Sequence, residues 1–370
     1  MKIDHVDIYT PDVFIPNSRV VYEESFQQIH TNNISSENND FLVPGFVDSH
    51  NHGCMGEDFS NTDLKGLKRM EEFLYTRGVT TVLATTLSLP FEKIKQTVAL
   101  IREYREKQPN SSIVGIHLEG PFVNLKKKGA QNPEYIKSPD EKEIDFILEN
   151  KDLIKVITLA PEIVGREVIQ TLTSEGITVS IGHTCADYKQ SMEAIQSGAT
   201  RFTHLFNAMT PVHHRDLGAS GAGLLSDAYV EIICDMIHLS KETIQLVFKA
   251  KDPEKIIFIS DAMEATGLEP GKYTLGGLEV NVDEHSARLE DGTLAGSVLK
   301  LDEALSNVYK HLSLPLRNIL KCLTKNPSIS SSLDSGMIDV GKKADFVVLD
   351  RKMKVVKTVK NGQIVYQRNN

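Results

Sequence analysis

No stretch of the 370-residue sequence approaches the roughly 18 uninterrupted apolar residues that a membrane-spanning helix needs, so none is expected. Cysteine is scarce. Cys54, Cys185, Cys234 and Cys322 are widely spaced and form no CxxC pair, which offers no disulfide framework and reads as reduced, mostly buried thiols of a cytoplasmic protein. Positive charge is not in excess: the formal net charge is −9 at pH 7, which disfavours nucleic acid or an anionic membrane surface as the main partner. A small anionic substrate stays open, because a few local cations outweigh a diffuse negative field. Low-complexity tracts are missing too, and 40% hydrophobic with 25% charged residues is the composition of a soluble globular protein, neither disordered nor fibrous. The start, Met1-Lys2-Ile3-Asp4-His5-Val6-Asp7, places acids where a signal peptide needs an apolar core.

What is present is repetition. Short apolar, β-branched runs recur, each stopping at a polar cluster and most followed by a helix-like stretch. They are Phe46–Asp48, Thr80–Thr85, Ile113–Leu118, Val156–Ala160, Thr178–Gly182, Arg201–Leu205, Val230–Cys234 and Ile256–Ser260. Between them, Leu67–Arg77, Phe91–Glu106 and Lys241–Ala250 carry helical spacing and charge. Strands alternating with helices imply parallel βαβ units with buried strands, and eight of them imply an α/β fold of the (β/α)₈ TIM-barrel type. A doubly wound open sheet is the competing architecture. The ends differ from the middle. Residues 1–44 are short, irregular and polar, whereas Ala344–Asp350, Lys354–Lys360 and Gln363–Tyr366 alternate as strands, with Asn361-Gly362 as a hairpin turn. Both termini are therefore expected to pair into one small β-sandwich domain, 1–44 with 335–370, beside a barrel of 45–334.

Barrel active sites sit where the strands finish. The first run leads into Asp48-Ser49-His50-Asn51-His52-Gly53, and two histidines two apart on an extended segment face the same way, as a pair of metal ligands would. The third run ends in His117-Leu118-Glu119-Gly120-Pro121, the fifth in Gly182-His183-Thr184 and the eighth in Ser260-Asp261-Ala262-Met263; the sixth contains Thr203-His204-Leu205-Phe206-Asn207-Ala208-Met209. Singly, each has a plainer explanation: a hydrogen-bonded structural histidine, a helix-start glutamate, a capping aspartate. Their coincidence at one end of successive strands favours a shared metal site. Imidazole plus carboxylate suits zinc, iron, cobalt or nickel better than magnesium or calcium. Such a metal lowers the pKa of bound water and polarises a carbonyl, and a neighbouring aspartate can take and return a proton. The residues thus point to metal-assisted hydrolysis of an amide-like bond.

These motifs resemble the amidohydrolase superfamily and, within it, the N-acetylglucosamine-6-phosphate deacetylases. The resemblance spans nearly the whole chain, through Pro44-Gly45-Phe46-Val47-Asp48, the His50/His52 pair, His117-Leu118-Glu119-Gly120-Pro121-Phe122, Gly182-His183-Thr184, His204-Leu205-Phe206-Asn207-Ala208-Met209, Ser260-Asp261-Ala262 and Leu294-Ala295-Gly296-Ser297. A lone HxH is weak; the HLEGP and HLFNAM strings in this order are specific. The resemblance implies Glu119, His183 and His204 as ligands of the metal found throughout the family. It implies His50 and His52 as ligands of a second ion seen in some members, and Asp261 as the acid/base that also touches metal in two-metal members. One or two divalent transition metals per chain follow, zinc or iron foremost. The resemblance further places Asn207 and Ala208 at the sugar phosphate, Arg215 and His238 at phosphate and sugar, and Leu294, Ala295 and Gly296 in a loop lining the sugar. The implied partner is an amino-sugar phosphate, with a homodimer as the assembly.

One departure stands out. After Gly129-Ala130 some relatives carry a histidine that polarises the acetyl carbonyl, and here Gln131 stands, able to donate a hydrogen bond but not to become cationic. Ala130 and Gln131 are thus expected at the substrate, with a second ion on His50 and His52 taking over part of the polarisation. Lys126-Lys127-Lys128 reads as a solvated loop, and His213 and His214 as lining the substrate loop or reaching a neighbouring subunit. Cys54 and Cys185 are expected to pack behind the ligands rather than coordinate. The implied reaction converts N-acetyl-D-glucosamine 6-phosphate to glucosamine 6-phosphate and acetate. The galacto epimer or a cyclic amide are the alternatives, and a non-catalytic scaffold is disfavoured because every expected ligand is present.

Overall fold

The computed structural model describes residues 1–31 and 39–369; residues 32–38, part of the expected N-terminal β segment, lie outside the described residues. Each of the eight expected runs forms a strand of one parallel sheet: β1 Phe46–Asn51, β2 Val79–Thr86, β3 Ile113–Glu119, β4 Ile154–Leu159, β5 Thr178–Ile181, β6 Arg201–Phe202, β7 Tyr229–Ile233 and β8 Ile256–Ile259. They neighbour one another in chain order. β8 returns to β1, where the Asp261 amide donates to the His50 carbonyl at 2.9 Å and the Ser260 hydroxyl to Asp48 Oδ2 at 2.6 Å. The strands are buried on both faces, which is why they read as unbroken apolar runs. The expected helices form at Leu64–Thr76, Phe91–Lys107 and Lys241–Ala250. Asp140 and Asp187 each begin a further helix through a reciprocal capping box.

The termini build a seven-stranded sheet that joins Lys2–Tyr9, Phe14–Tyr22, Phe26–Thr31 and Asp40–Pro44 to Phe346–Leu349, Val355–Lys360 and Gln363–Gln367. Phe26–Thr31 lies four strands from Phe346–Leu349 in the hydrogen-bonding order. On a flat sheet that is roughly 19 Å at the usual strand spacing. The Phe26 and Phe346 rings are nevertheless 5.7 Å apart, and the Phe26 amide donates to the Lys342 carbonyl at 2.9 Å. The sheet therefore closes over itself as a sandwich around its own core of Ile8, Val20, Tyr22, Phe26, Leu42, Phe346 and Val348. The alternate residues Phe41, Val43, Val347 and Leu349 belong to the barrel's core instead. The described residues of 1–44, read as irregular in the sequence, are thus mostly strand.

A second small sheet was not foreseen. Gly271–Leu275, Leu278–Val282 and Ala287–Arg288 form an antiparallel meander after β8, turning at Gly276-Gly277 with φ of 58° and 83°. It brings Leu275 over the C-terminal mouth of the barrel, beside Leu294 and Gly296.

Candidate metal centre and substrate cavity

The strand ends are shaped by strained backbone as well as by sequence. His183, His204 and Asp261 all take left-handed φ, at 46°, 28° and 50°. Such positions cost roughly 1–3 kcal/mol each in non-glycine residues and persist only where the surroundings enforce them. Here they turn three polar side chains off their strands toward the barrel axis.

The side chains meet around Glu119. Its Oε1 lies 3.1 Å from His183 Nε2, 2.9 Å from His204 Nε2 and 3.5 Å from His50 Nε2, while its Oε2 lies 3.5 Å from His52 Nε2. Asp261 Oδ1 is 3.2 Å from His52 Nε2 and 3.4 Å from His50 Nε2. Two donor triads result, His50/His52/Glu119 and Glu119/His183/His204, with Glu119 common to both. Within each triad two ring nitrogens face one another, at 3.3 Å for His50 and His52 and 3.1 Å for His183 and His204. Facing imidazole nitrogens around a carboxylate are a donor set for a soft-to-borderline divalent cation, so the residues present fit one. A third cluster, His50/His117/Glu231, fits less well. The Arg201 guanidinium already pairs with Glu231 there, and both His117 nitrogens are engaged, with the Ser49 carbonyl at 3.1 Å and Thr158 Oγ1 at 2.7 Å.

The electrostatics agree with a site for positive charge. Burial alone would depress His50, yet Glu231, Asp261 and Glu119 outweigh it and push its pKa up to about 9. His204 rises to about 9 as well, against its burial, through Glu119 and more distantly Asp261. Burial opposes ionisation of Glu119 and Asp261, but His183 and His50 hold Glu119 well below the usual carboxylate range, and His50 and His52 hold Asp261 below its own. His117 is pushed well below the ordinary imidazole value by burial and by His50.

Above the donors opens a cavity of about 350 Å³. Of the residues expected at the substrate, Ala130, Gln131, Asn207, Ala208, His238, Leu294 and Gly296 line it, as do His52, Glu119, His183, His204 and Asp261. His50 lies beneath, fully buried. Ala295 is buried too, but packs with Met263, Leu275 and Ala287 behind the wall. Arg215 is not in the wall: it is exposed, its Nη1 2.6 Å from His214 Nε2, and His213 and His214 are exposed beside it. Lys126 and Lys127, read as a solvated loop, do reach the wall. Cys54 is buried in the barrel core, and the Cys185 amide donates to Glu162 at 2.5 Å. Gln131 is more constrained than its sequence position suggested, since its Nε2 donates to Glu119 Oε2 at 2.7 Å and its Oε1 accepts from the Ser88 amide at 2.5 Å.

Residues 41–365 match the Amidohydrolase family. The chain is 36% identical over 366 residues to the N-acetylglucosamine-6-phosphate deacetylase of Lysinibacillus sphaericus, covering 97% of this chain and 94% of that one. It belongs to the amidohydrolase family. Within that family its relatives are N-acetylglucosamine-6-phosphate deacetylases, including that of Bacillus subtilis strain 168, 36% identical with 94% and 90% of the two chains covered. Among solved structures, the Thermotoga maritima deacetylase superposes with a TM-score of 0.94 at 38% identity over 100% of both chains. A mutant Mycobacterium smegmatis deacetylase in complex with N-acetyl-D-glucosamine-6-phosphate superposes at 0.93 with 30% identity, covering 99% of each. A divalent metal accords with an amidohydrolase, and the His and Glu groups around Glu119 are a donor set that could hold one. No helix among the described residues is long and apolar enough to cross a membrane.

Proposed function

We propose that this chain hydrolyses N-acetyl-D-glucosamine 6-phosphate to D-glucosamine 6-phosphate and acetate. The observation that carries the reading is the pair of donor triads sharing Glu119, with the Asp261 carboxylate beside His50 and His52 and a cavity of about 350 Å³ above them. The relatives' substrate supplies the rest.

In this reading Glu119, His183 and His204 would hold one ion, and His50 and His52 beside Glu119 would hold a second, with Asp261 next to that histidine pair; zinc and iron are both compatible with these donors. A bound divalent ion there supplies Lewis acidity toward the acetyl oxygen and lowers the pKa of water. The chain's own residues do the remainder. Asp261, kept ionised by His50 and His52, accepts one proton from the attacking water as its oxygen bonds to the acetyl carbon. It returns that proton to the nitrogen as the C–N bond breaks and the amine leaves, while the water's second proton, left on the new carboxyl group, passes to the amine or to solvent as acetate departs. Gln131 spends one N–H on Glu119, and its other N–H is the one left for the acetyl oxygen. Asn207, Ala208, His238, Leu294 and Gly296 hold the sugar, and Lys126 and Lys127 bring positive charge to the anionic end.

Because Arg215 stands outside its own cavity, we assign it, with His213 and His214, to the phosphate bound by the neighbouring subunit of a homodimer. We read residues 1–44 with 335–370 as one unit and 45–334 as the other, on the support of the two separate cores.

The test is acetate release from N-acetylglucosamine 6-phosphate by metal-quantified protein, against the unphosphorylated and galacto sugars. Preference for the phosphorylated gluco compound is expected, and equal rates on all three would sink the assignment. One ion per chain in a fully active preparation would sink the two-ion centre.

A further inference from the structure

Glu231 lies in the middle of β7, in a run whose other members are apolar, and it is fully buried inside the barrel. A carboxylate in that position is expensive unless every lone pair is used. Here they are used on the two halves of the donor set at once. Glu231 Oε2 accepts from His50 Nδ1 at 3.0 Å and from the His204 backbone amide at 3.1 Å. Its Oε1 is paired with Arg201 Nη2. Arg201 in turn donates to the hydroxyls of Ser49, the residue before His50, at 2.5 Å and of Ser331 at 3.0 Å.

His50 belongs to one triad and His204 to the other. The bond from His50 Nδ1 leaves its Nε2 as the nitrogen facing His52, Glu119 and Asp261. The bond to the His204 amide pins a residue whose backbone is in the left-handed region. His183 has a different anchor, its Nδ1 donating to the Lys127 carbonyl at 2.8 Å. The Nδ1 atoms of His52 and His204 are buried without a hydrogen-bond partner among the described residues. Among the described residues, Glu231 is thus the carboxylate that reaches a ligand of each triad from below, and Arg201 fixes which way it faces.

We propose that Glu231, oriented by Arg201, is a positioning residue for both metal sites. It sets the tautomer and ring angle of His50 and locks the strained turn that aims His204. The inference rests on reading these histidines as ligands. A ligand's outer hydrogen-bond partner commonly controls affinity by about 10–100-fold.

The experiment uses chelator-stripped full-length protein titrated with zinc and followed by calorimetry. Wild type is expected to take up two ions. Glu231→Gln cannot serve both sides, because Arg201 demands an acceptor where the amide offers one oxygen and one NH₂; at least one binding step should weaken by about 10–100-fold. That variant also leaves Arg201 poorly paired, so a second is needed. Arg201→Met/Glu231→Leu removes both charges and leaves apolar groups of similar volume, which often preserves stability. A merely structural pair predicts that this double variant regains wild-type zinc affinity along with its fold, and that result overturns the proposal. Weak zinc binding by a double variant that unfolds near the wild-type temperature supports it. Histidine nitrogen NMR of zinc-loaded wild type decides independently of folding: a protonated Nδ1 on His50 supports the proposal and an unprotonated one overturns it. Wild-type protein that binds no divalent ion would overturn the reading of the ligands along with it.

Discussion

Asp261 closes the barrel and faces the donors with the same few atoms: its amide bonds to the His50 carbonyl, while its carboxylate sits between His50 and His52. Asp261→Asn keeps the shape and the backbone bond but cannot take a proton. Turnover is expected to fall about 10²–10⁴-fold, the usual worth of a positioned general base, with metal content near normal. Turnover and metal analysis on one preparation decide it, and retained turnover would remove Asp261 from this role. At this scale much of the site was legible, because HxH, HLEGP and HLFNAM place ligand-type residues at strand ends where only a shared site brings them together. Two things were not. Glu231 in Val230-Glu231-Ile232 gives no sign of facing inward until barrel closure shows which face of β7 is the interior. Arg215 matched a substrate contact by motif, and nothing in that motif says that its loop lies exposed, outside the cavity of its own chain.

Among the elements, the parallel strands were readable because burial on both faces leaves no polar alternation to confuse them. β6 ended earlier than its apolar run, at Phe202 rather than Leu205, since the left-handed turn at His204 takes the chain off the sheet. The N-terminal strands were hidden for a related reason. Register shifts interrupt the pairing of Lys2–Tyr9 with Phe14–Tyr22, and His5 and Asn17 have φ of 57° and 42°, so the two-residue period breaks mid-strand. Lys251 offers a test at the same scale. It follows the helix Lys241–Ala250 and donates through Nζ to the carbonyls of Gly223 and Ser226, at the end of the helix Gly218–Leu225. Burial pushes its pKa down to about 8 from 10.5. Between those values the unfolded chain holds the proton more tightly than the native one, so stability attributable to Lys251 rises with pH across that window and is lost as pH falls through about 8. Urea unfolding of wild type and Lys251→Met at pH 7.5 and 9.5 checks it: the difference should move in favour of wild type at the higher pH, and a constant difference would show that Lys251 keeps an ordinary pKa.

For the whole molecule, the question is whether the terminal sheet is an appendage or part of the site's foundation. Asp40–Pro44 runs through Gly45 alone into β1, the strand that carries His50 and His52. A Cβ on Gly45 would fall 2.0 Å from Thr80 Oγ1, so the crossing admits no side chain without shifting β2. Alternate residues of the same strands then commit to different cores: Leu42, Phe346 and Val348 to the sheet's own, Phe41, Val43, Val347 and Leu349 to the barrel's. Such interdigitation couples the two units more tightly than a linker would, and a single cooperative transition is expected in calorimetry. Val347→Asp probes that seam, since it buries an unpaired charge in the barrel's core from a strand outside the barrel. It should cost several kcal/mol, lowering the melting temperature of the whole protein and not of the sheet alone. Two separated transitions, with the barrel melting at its wild-type temperature, would show that the sheet merely adjoins the barrel and that β1 is held in place without it.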